Sequence, residues 1–294
     1  MEENLMKDVI IYTIFRIFVI LVKLLPDKLK YYFGKLFGRF AHLVTKKRRK
    51  LAKENLAMAF PDQLSEDKVR QIIKEVYENV GLMLVEFIML QKINHDNFQQ
   101  YVEVEGQKNL DKAYNQDQGI IIYGAHFGNW EWMAAFISLL GYPLNAIVQK
   151  QHNQYFNDYI NGIREDKGLN VIPLGVSVRK AYSALKNGEC VFILGDQDAR
   201  DRGWKLNFFG RPASTYNGVI QLAERTGARI VPTFLIRQKR GKHKLIFYPS
   251  HRIGQDLSRE EQKQKLQELT NIVEEVVREN KSQWFWLHKR WKTY

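Results

Sequence analysis

Twice in this chain an unbroken apolar run stops at a glycine and gives way to polar side chains. Ile120-Ile121-Ile122 leads through Tyr123 to Gly124-Ala125-His126-Phe127-Gly128-Asn129-Trp130-Glu131-Trp132, and Val191-Phe192-Ile193-Leu194 leads to Gly195-Asp196-Gln197-Asp198-Ala199-Arg200. Short continuous runs rich in Ile and Val are the pattern of strands covered on both faces, as in a parallel sheet flanked by helices. Open sheets of that kind hold their ligands beyond the carboxyl ends of the strands. If the two strands are parallel neighbours, both polar clusters face one crevice.

The rest of the chain agrees with an α/β fold. Helical spacing covers 46–59 and 65–92, with Ser65 as an N-cap before Glu66 and Asp67, and Tyr101 to Gly106 alternates as an edge strand does. A short helix at 107–115 precedes the strand at 119–124, and helix 129–140 follows it. Strand 143–148, helix 153–167, strand 170–173 and helix 176–186 come next, the last stopped by Asn187-Gly188, before strand 190–194. Helix 216–226, strands 229–236 and 243–249 and helix 258–280 lead to an aromatic tail. At 294 residues and 45% hydrophobic content the chain can bury one large core. No repeat or flexible linker divides it.

His126 is a candidate general base and Glu131 its orienting carboxylate, because they leave a strand through a glycine-flanked loop. The alternative is a histidine that packs or caps. Spacing alone does not decide, since His251…Asp256 has the same spacing and reads as a loop histidine near a helix-capping Asp. Asp196-Gln197-Asp198 and Arg200 either hydrogen-bond a polar substrate or brace the loops around His126. One Asp-x-Asp provides too few ligands for a metal, and no metal or cofactor is expected. The single Cys190 excludes an internal disulfide, suits a reducing compartment, and reads as a packed strand residue.

The charge of +13 sits at the ends. Residues 1–60 hold 13 Lys and Arg against five acids, and the last 14 residues add four cations and no acid. Such ends imply an anionic surface as partner. Val9 to Leu25 is apolar but interrupted by Arg16 and Lys23 and closed by Pro26, so a helix lying in or dipping into a membrane interface fits better than a span. Lys28, Lys30, Lys35 and Arg39 would meet headgroups, and Lys46-Lys47-Arg48-Arg49-Lys50 reads as an anchor to anionic lipid on the cytoplasmic side. No signal-peptide cleavage site and no nucleic-acid-binding motif accompany these features. The expected division is a membrane-associating helical segment over 1–45 and a catalytic domain over 46–294.

Gly124-Ala-His-Phe-Gly-Asn-Trp-Glu131, Gly195-Asp-Gln-Asp198, Phe208-Phe209-Gly210 and the tail Gln283-Trp-Phe-Trp-Leu-His-Lys-Arg-Trp-Lys292 together resemble the bacterial lipid A biosynthesis late acyltransferases, the lauroyl and myristoyl transferases. Asn55-Leu56…Phe60-Pro61 and Arg164…Gly168 extend the resemblance over nearly the whole chain. It implies a glycerolipid-acyltransferase-type mixed sheet flanked by helices. It also implies transfer of an acyl chain from acyl carrier protein to a hydroxyl of a lipid A precursor, at the cytoplasmic face of the inner membrane. After Asp198, the segment Ala199-Arg200-Asp201-Arg202-Gly203-Trp204 lacks the Gly-Pro expected in several lipid A enzymes, and related proteins acylate other glycolipids, including mannosylated phosphatidylinositol.

For such a reaction a neutral imidazole accepts the proton of the attacking alcohol. Glu131 is expected to fix the tautomer of His126, and backbone amides around Gly124, Gly128 and Asn129 to hold the oxyanion. By resemblance, Arg164 and Asp198 position the acceptor, with a structural ion pair as the alternative. Arg290 is the expected phosphate contact of the tail, whose tryptophans are expected to be mostly buried. A non-catalytic protein holding anionic lipid on the same scaffold is the second reading.

Overall fold

The computed structural model describes residues 2–114 and 118–294. The helices are α1 (Glu2–Leu24), α2 (Asp27–Val44), α3 (Lys46–Ala59), α4 (Glu66–Met89), α5 (Gln107–Tyr114), α6 (Trp130–Leu139), α7 (Gln154–Glu165), α8 (Ser177–Lys186), α9 (Gly218–Thr226) and α10 (Arg259–Glu279). The strands are β1 (Val102–Glu105), β2 (Ile120–Gly124), β3 (Leu144–Val148), β4 (Leu169–Pro173), β5 (Cys190–Leu194), β6 (Trp204–Phe208), β7 (Arg211–Thr215), β8 (Arg229–Arg237) and β9 (His243–Phe247). The last residue of the helix expected over 107–115 and the first of the segment 1–45 lie outside the described residues.

Seven strands form one sheet in the order β1-β9-β8-β2-β5-β3-β4. β8, β2, β5, β3 and β4 run parallel, while β9 returns antiparallel to β8 and pairs in parallel with β1 at the edge. β2 is buried along its whole length, and its side chains alternate between two cores. Ile121 and Tyr123 pack with α3, α9, α10 and the tail, whereas Ile120 and Ile122 pack with α5 and α6 and the end of α4. That double cover is why its sequence reads as a continuous apolar run.

The β6–β7 hairpin forms a separate two-stranded sheet that the sequence pattern does not announce. Its turn residues Phe209 and Gly210 both have positive φ, 56° and 73°, the requirement of the two-residue turn that matches strand twist, usually met by Asn-Gly. Phe209 accepts the left-handed conformation because its ring is buried against Phe60 and Trp286 under the Arg278 guanidinium. A second departure concerns the last helix. Asp256 does not cap it; Ser258 does, in a capping box with Glu261.

The N-terminal helices are fixed to the body by specific contacts. Gly34 and Gly38 of α2 lie against Gly81 of α4 so closely that a Cβ on Gly38 would sit on the Tyr77 carbonyl, and one on Gly81 on the Gly34 carbonyl. α1 buries Val19 and Val22 and sets Phe15 against Phe156 and Tyr159. Arg16 covers the Tyr159 ring at 4.9 Å and bonds the Tyr12 hydroxyl at 3.1 Å. Among the described residues no helix is long and apolar enough to cross a membrane. The outer faces of α1 and α2 nevertheless expose Ile10, Ile14, Ile17, Leu36, Phe40 and Leu43.

Candidate active site

The register of β2 and β5 builds the site. Gly124 stands opposite Leu194, and the Gly195 amide donates to the Gly124 carbonyl at 3.0 Å, so the two polar clusters leave the sheet side by side. A side chain at position 195 would enter the Tyr123 ring. Directly beyond, one Asp196 carboxylate oxygen accepts from both the His126 amide (3.0 Å) and, across 2.8 Å, the His126 Nδ1. The other oxygen accepts from the Trp284 indole at 2.8 Å. Burial pushes the Asp196 carboxyl upward, but its electrostatic attraction to the imidazole and the hydrogen bonds from His126 and Trp284 outweigh burial and hold it below the ordinary carboxylate range. An ionised carboxylate on Nδ1 places the proton there and leaves Nε2 as the bare, accepting nitrogen.

Glu131 therefore does not orient the imidazole. Its carboxylate is taken in a bidentate pair by Arg164, Nε to Oε2 at 2.9 Å and Nη2 to Oε1 at 2.7 Å, with the other guanidinium nitrogen on Asn161. Glu131 is the second residue of α6, and the turn at Gly128 (φ 58°) leads the chain away from His126 before that helix begins. The carboxylate meeting the base comes from the neighbouring strand end. Sequence analysis placed Asp196 among substrate contacts or braces; the structure makes it the brace.

The amides expected around Gly124, Gly128 and Asn129 to hold an oxyanion are not all free to do so. The Gly128 amide is spent on the Gln283 carbonyl at 2.8 Å, and a Cβ there would meet the Leu235 carbonyl. Gly124 closes β2 within the sheet. Asn129 is buried, its side chain accepting from the Trp132 amide at 3.1 Å and donating to Glu86 at 2.8 Å. The first-turn amides that α6 leaves without helical or capping partners are those of Trp130 and Glu131, two residues further along. Both residues line the site cavity.

Arg290 is not a headgroup contact. It is 1% exposed, donates to the Ser214 carbonyl and to Thr215 Oγ1, and lies over the Phe208 ring. Burial lowers its affinity for a proton, a shift that the nearby Asp196 and Asp198 charges oppose only in part. Asp198 is likewise buried, with one oxygen on Thr293 at 3.0 Å and on the Arg200 amide, and it forms no pair with Arg164. Arg200 is exposed outside the cavity wall. Gln197 remains in the site, its side-chain nitrogen 3.2 Å from His126 Nε2. Trp284, Trp286 and Trp291 are buried as expected, and the tail is tied down by Asn55, whose amide donates to the Trp286 and His288 carbonyls at 2.7 Å each.

Two residues important to the site escaped sequence reasoning. Glu86, fully buried, holds Asn129 and the Trp132 indole from behind and is paired with Arg237 beside His243. Its signal was a lone acid in the apolar run Gly81-Leu82-Met83-Leu84-Val85-Glu86-Phe87-Ile88. Burial, then the Arg237 charge, depress His243 to about 4, so it is neutral there. Gln283 fixes both Gly128 and the backbone of Arg237.

His126, Trp130, Glu131, Arg164 and Gln197 form the polar end of a cavity of about 500 Å³. Apolar side chains of Ile147, Val148, Val178, Phe192, Leu194 and Leu222 make up much of the rest of its wall, with Gln149, Gln151, Ser177 and Tyr216 among them. A more open hollow of about 570 Å³ near Asn145, Glu165 and Lys180 contains none of these groups. Among the described residues no cluster of three or more His, Cys, Asp or Glu is arranged to hold a metal ion. Cys190 is buried, which pushes its thiol up to about 12.

The fold is thus an α/β protein with a parallel-dominated sheet, in which an imidazole and a carboxylate meet at the carboxyl edge beside a cavity. The chain belongs to the bacterial lipid A biosynthesis acyltransferase family, whose family model matches residues 3–293. It is 25% identical over 271 residues to a lipid A biosynthesis palmitoleoyltransferase of Escherichia coli, covering 92% of this chain and 87% of that one. It is 27% identical over 174 residues to a phosphatidylinositol mannoside acyltransferase of Mycobacterium tuberculosis, covering 56% and 54%. The crystal structure of the 1-acyl-sn-glycerophosphate acyltransferase PlsC from Thermotoga maritima aligns with a TM-score of 0.40 at 18% identity, over 88% of this chain and 100% of that one.

Proposed function

We propose that this chain moves a fatty acyl group from the thioester of acyl carrier protein to a hydroxyl of a lipid A precursor or a related glycolipid, with His126 Nε2 as the general base. The observation that supports this most is the Asp196–His126 pair, which engages Nδ1 and leaves Nε2 as the accepting nitrogen of a histidine that lines the cavity. As the acceptor oxygen attacks the thioester carbonyl, Nε2 takes its proton and Asp196 stabilises the imidazolium. The first-turn amides of α6 and the positive end of that helix receive the developing oxyanion. Collapse breaks the carbon–sulfur bond, and the imidazolium returns the proton to the departing thiolate.

Arg164, locked flat against Glu131, offers the acceptor a charged polar wall opposite the hydrocarbon lining. The exposed apolar faces of α1 and α2 support a reading in which the protein works on an anionic membrane surface, the cytoplasmic face of the inner membrane. The test is His126→Ala in the full chain on anionic vesicles, supplied with acyl carrier protein thioester and either a lipid A precursor or a phosphatidylinositol mannoside. Transfer falls about 10²- to 10⁴-fold, the usual weight of a positioned base, while vesicle binding is unchanged. Undiminished transfer would overturn the assignment and leave a lipid-binding protein.

A further inference from the structure

The side chain of Gln197 stands where the reacting oxygen has to stand. A hydroxyl that gives its proton to His126 Nε2 must approach within about 2.6–3.2 Å of that nitrogen, and the Gln197 amide nitrogen occupies that shell at 3.2 Å. With the Nδ1 proton committed to Asp196, Nε2 can only accept, so the amide presents its N–H to it. Among the described residues the Gln197 side chain makes no other hydrogen bond, while its backbone carbonyl is held by Arg290. The arrangement is a cap held by a single side-chain hydrogen bond on a loop anchored through its backbone.

We propose that Gln197 caps the catalytic base in the unloaded site, and that competition with this cap is what sets acyl transfer apart from hydrolysis of the donor. The inference rests on the general-base function of His126 proposed above. The imidazole is partly exposed, its side chain 23% accessible, so solvent can reach it. An uncapped Nε2 beside a bound thioester would activate water as it activates an alcohol. The water oxygen would bond to the acyl carbon, the carbon–sulfur bond would break, and the proton taken by Nε2 would pass to the thiolate, releasing fatty acid and free thiol.

For a water molecule, replacing the Gln197 amide exchanges one neutral hydrogen bond for another and gains little. An acceptor lipid brings its hydroxyl together with contacts along the cavity, and those contacts hold the hydroxyl in place of the amide. The side chain thereby favours the nucleophile that is bound over the one that is merely abundant.

The experiment measures two rates in the full chain on anionic vesicles: fatty acid released from acyl carrier protein thioester alone, and acyl transfer when a lipid A precursor is added. Gln197→Ala raises the hydrolysis-to-transfer ratio about tenfold, the fold-change that corresponds to one neutral hydrogen bond. Gln197→Met, close in size but unable to donate, raises it in the same direction and serves if the alanine variant folds poorly. An unchanged ratio in the folded variants overturns the proposal, as does a fall of both rates together. Adding His126→Ala to Gln197→Ala must abolish the extra hydrolysis, and persistence also refutes the cap. Retained transfer in His126→Ala alone instead refutes the general-base function, so the two failures are distinguishable.

Discussion

His126 and Asp196 lie 70 residues apart in the chain, and only the pairing of two strand ends brings them together. Asp196→Asn is therefore an informative substitution. An amide at this position can present its N–H to Nδ1 and reverse the tautomer, putting the proton on Nε2 where the base must be free. The expected outcome is a loss of about 10³- to 10⁴-fold in kcat with the fold intact, as removal of the analogous carboxylate does in other His-centred sites. Transfer assays and thermal unfolding of the same preparation check it. The position of His126 was legible, because the residues that precede it announce a buried strand and a glycine-flanked exit. Its partner was not, because the HxxxxE spacing names a carboxylate near in sequence, whereas the register of β2 against β5 supplies a nearer one in space. Arg290 misled for a related reason: a cation among tryptophans reads as interfacial, but three acceptors in the β7 and Gln197 segments draw it inside.

Elements whose type is set by periodicity were legible in the sequence, and those set by tertiary packing were not. Strand β5 and helix α3 fall where the pattern puts them, since one is a covered apolar run and the other lies between clear boundaries. The β6–β7 hairpin escapes because Phe209 adopts its turn conformation through packing. The same holds for the cluster linking α4, α6, β8 and β9, in which Glu86, Arg237 and His243 support the base of the active-site loop from three elements. Burial and the charge balance in that cluster make the folding of this region acid-sensitive. Burial raises the Glu86 carboxyl, but the Arg237 charge and the hydrogen bonds from Arg237 and Asn129 prevail and keep it low; His243 is depressed from 6.5 to about 4. Between those two values the unfolded chain binds a proton at position 243 that the folded chain refuses. Stability consequently falls as pH drops from about 6.5 to about 4, by up to about 3 kcal/mol from this one group, and levels off below. Denaturant midpoints measured from pH 4 to pH 7 show that slope, and His243→Gln, which cannot titrate, removes its part of it.

At the scale of the whole molecule, the proposed membrane contact rests on the exposed apolar side chains of α1 and α2 and on the cations of the first 60 residues. The closeness of Gly34, Gly38 and Gly81 holds α2 rigidly on α4, and aromatic contacts hold α1 on α7, the helix that carries Arg164. The outward side chains Ile10, Ile14, Ile17, Leu36, Phe40 and Leu43 are thus carried on helices fixed to the body. Charge supports it unevenly. Arg48 and Arg49 of the basic cluster spend hydrogen bonds on the Leu287 and His42 carbonyls, so Lys46, Lys47 and Lys50 are left as its exposed ammonium groups. Binding to a membrane should then be mainly hydrophobic, with electrostatics as the smaller component. Burying an Ile or Phe side chain contributes about 1.5–3 kcal/mol, so Ile14→Asp or Phe40→Asp should each lower partitioning onto anionic vesicles by about tenfold or more. Raising salt should weaken binding of the unsubstituted chain less than either substitution does, because screening reaches only the surface charges. Co-sedimentation with vesicles of varied anionic lipid content measures both effects. Strong salt dependence with indifference to Ile14→Asp and Phe40→Asp would mean that the basic termini alone hold the protein to the surface and that the apolar face serves another contact.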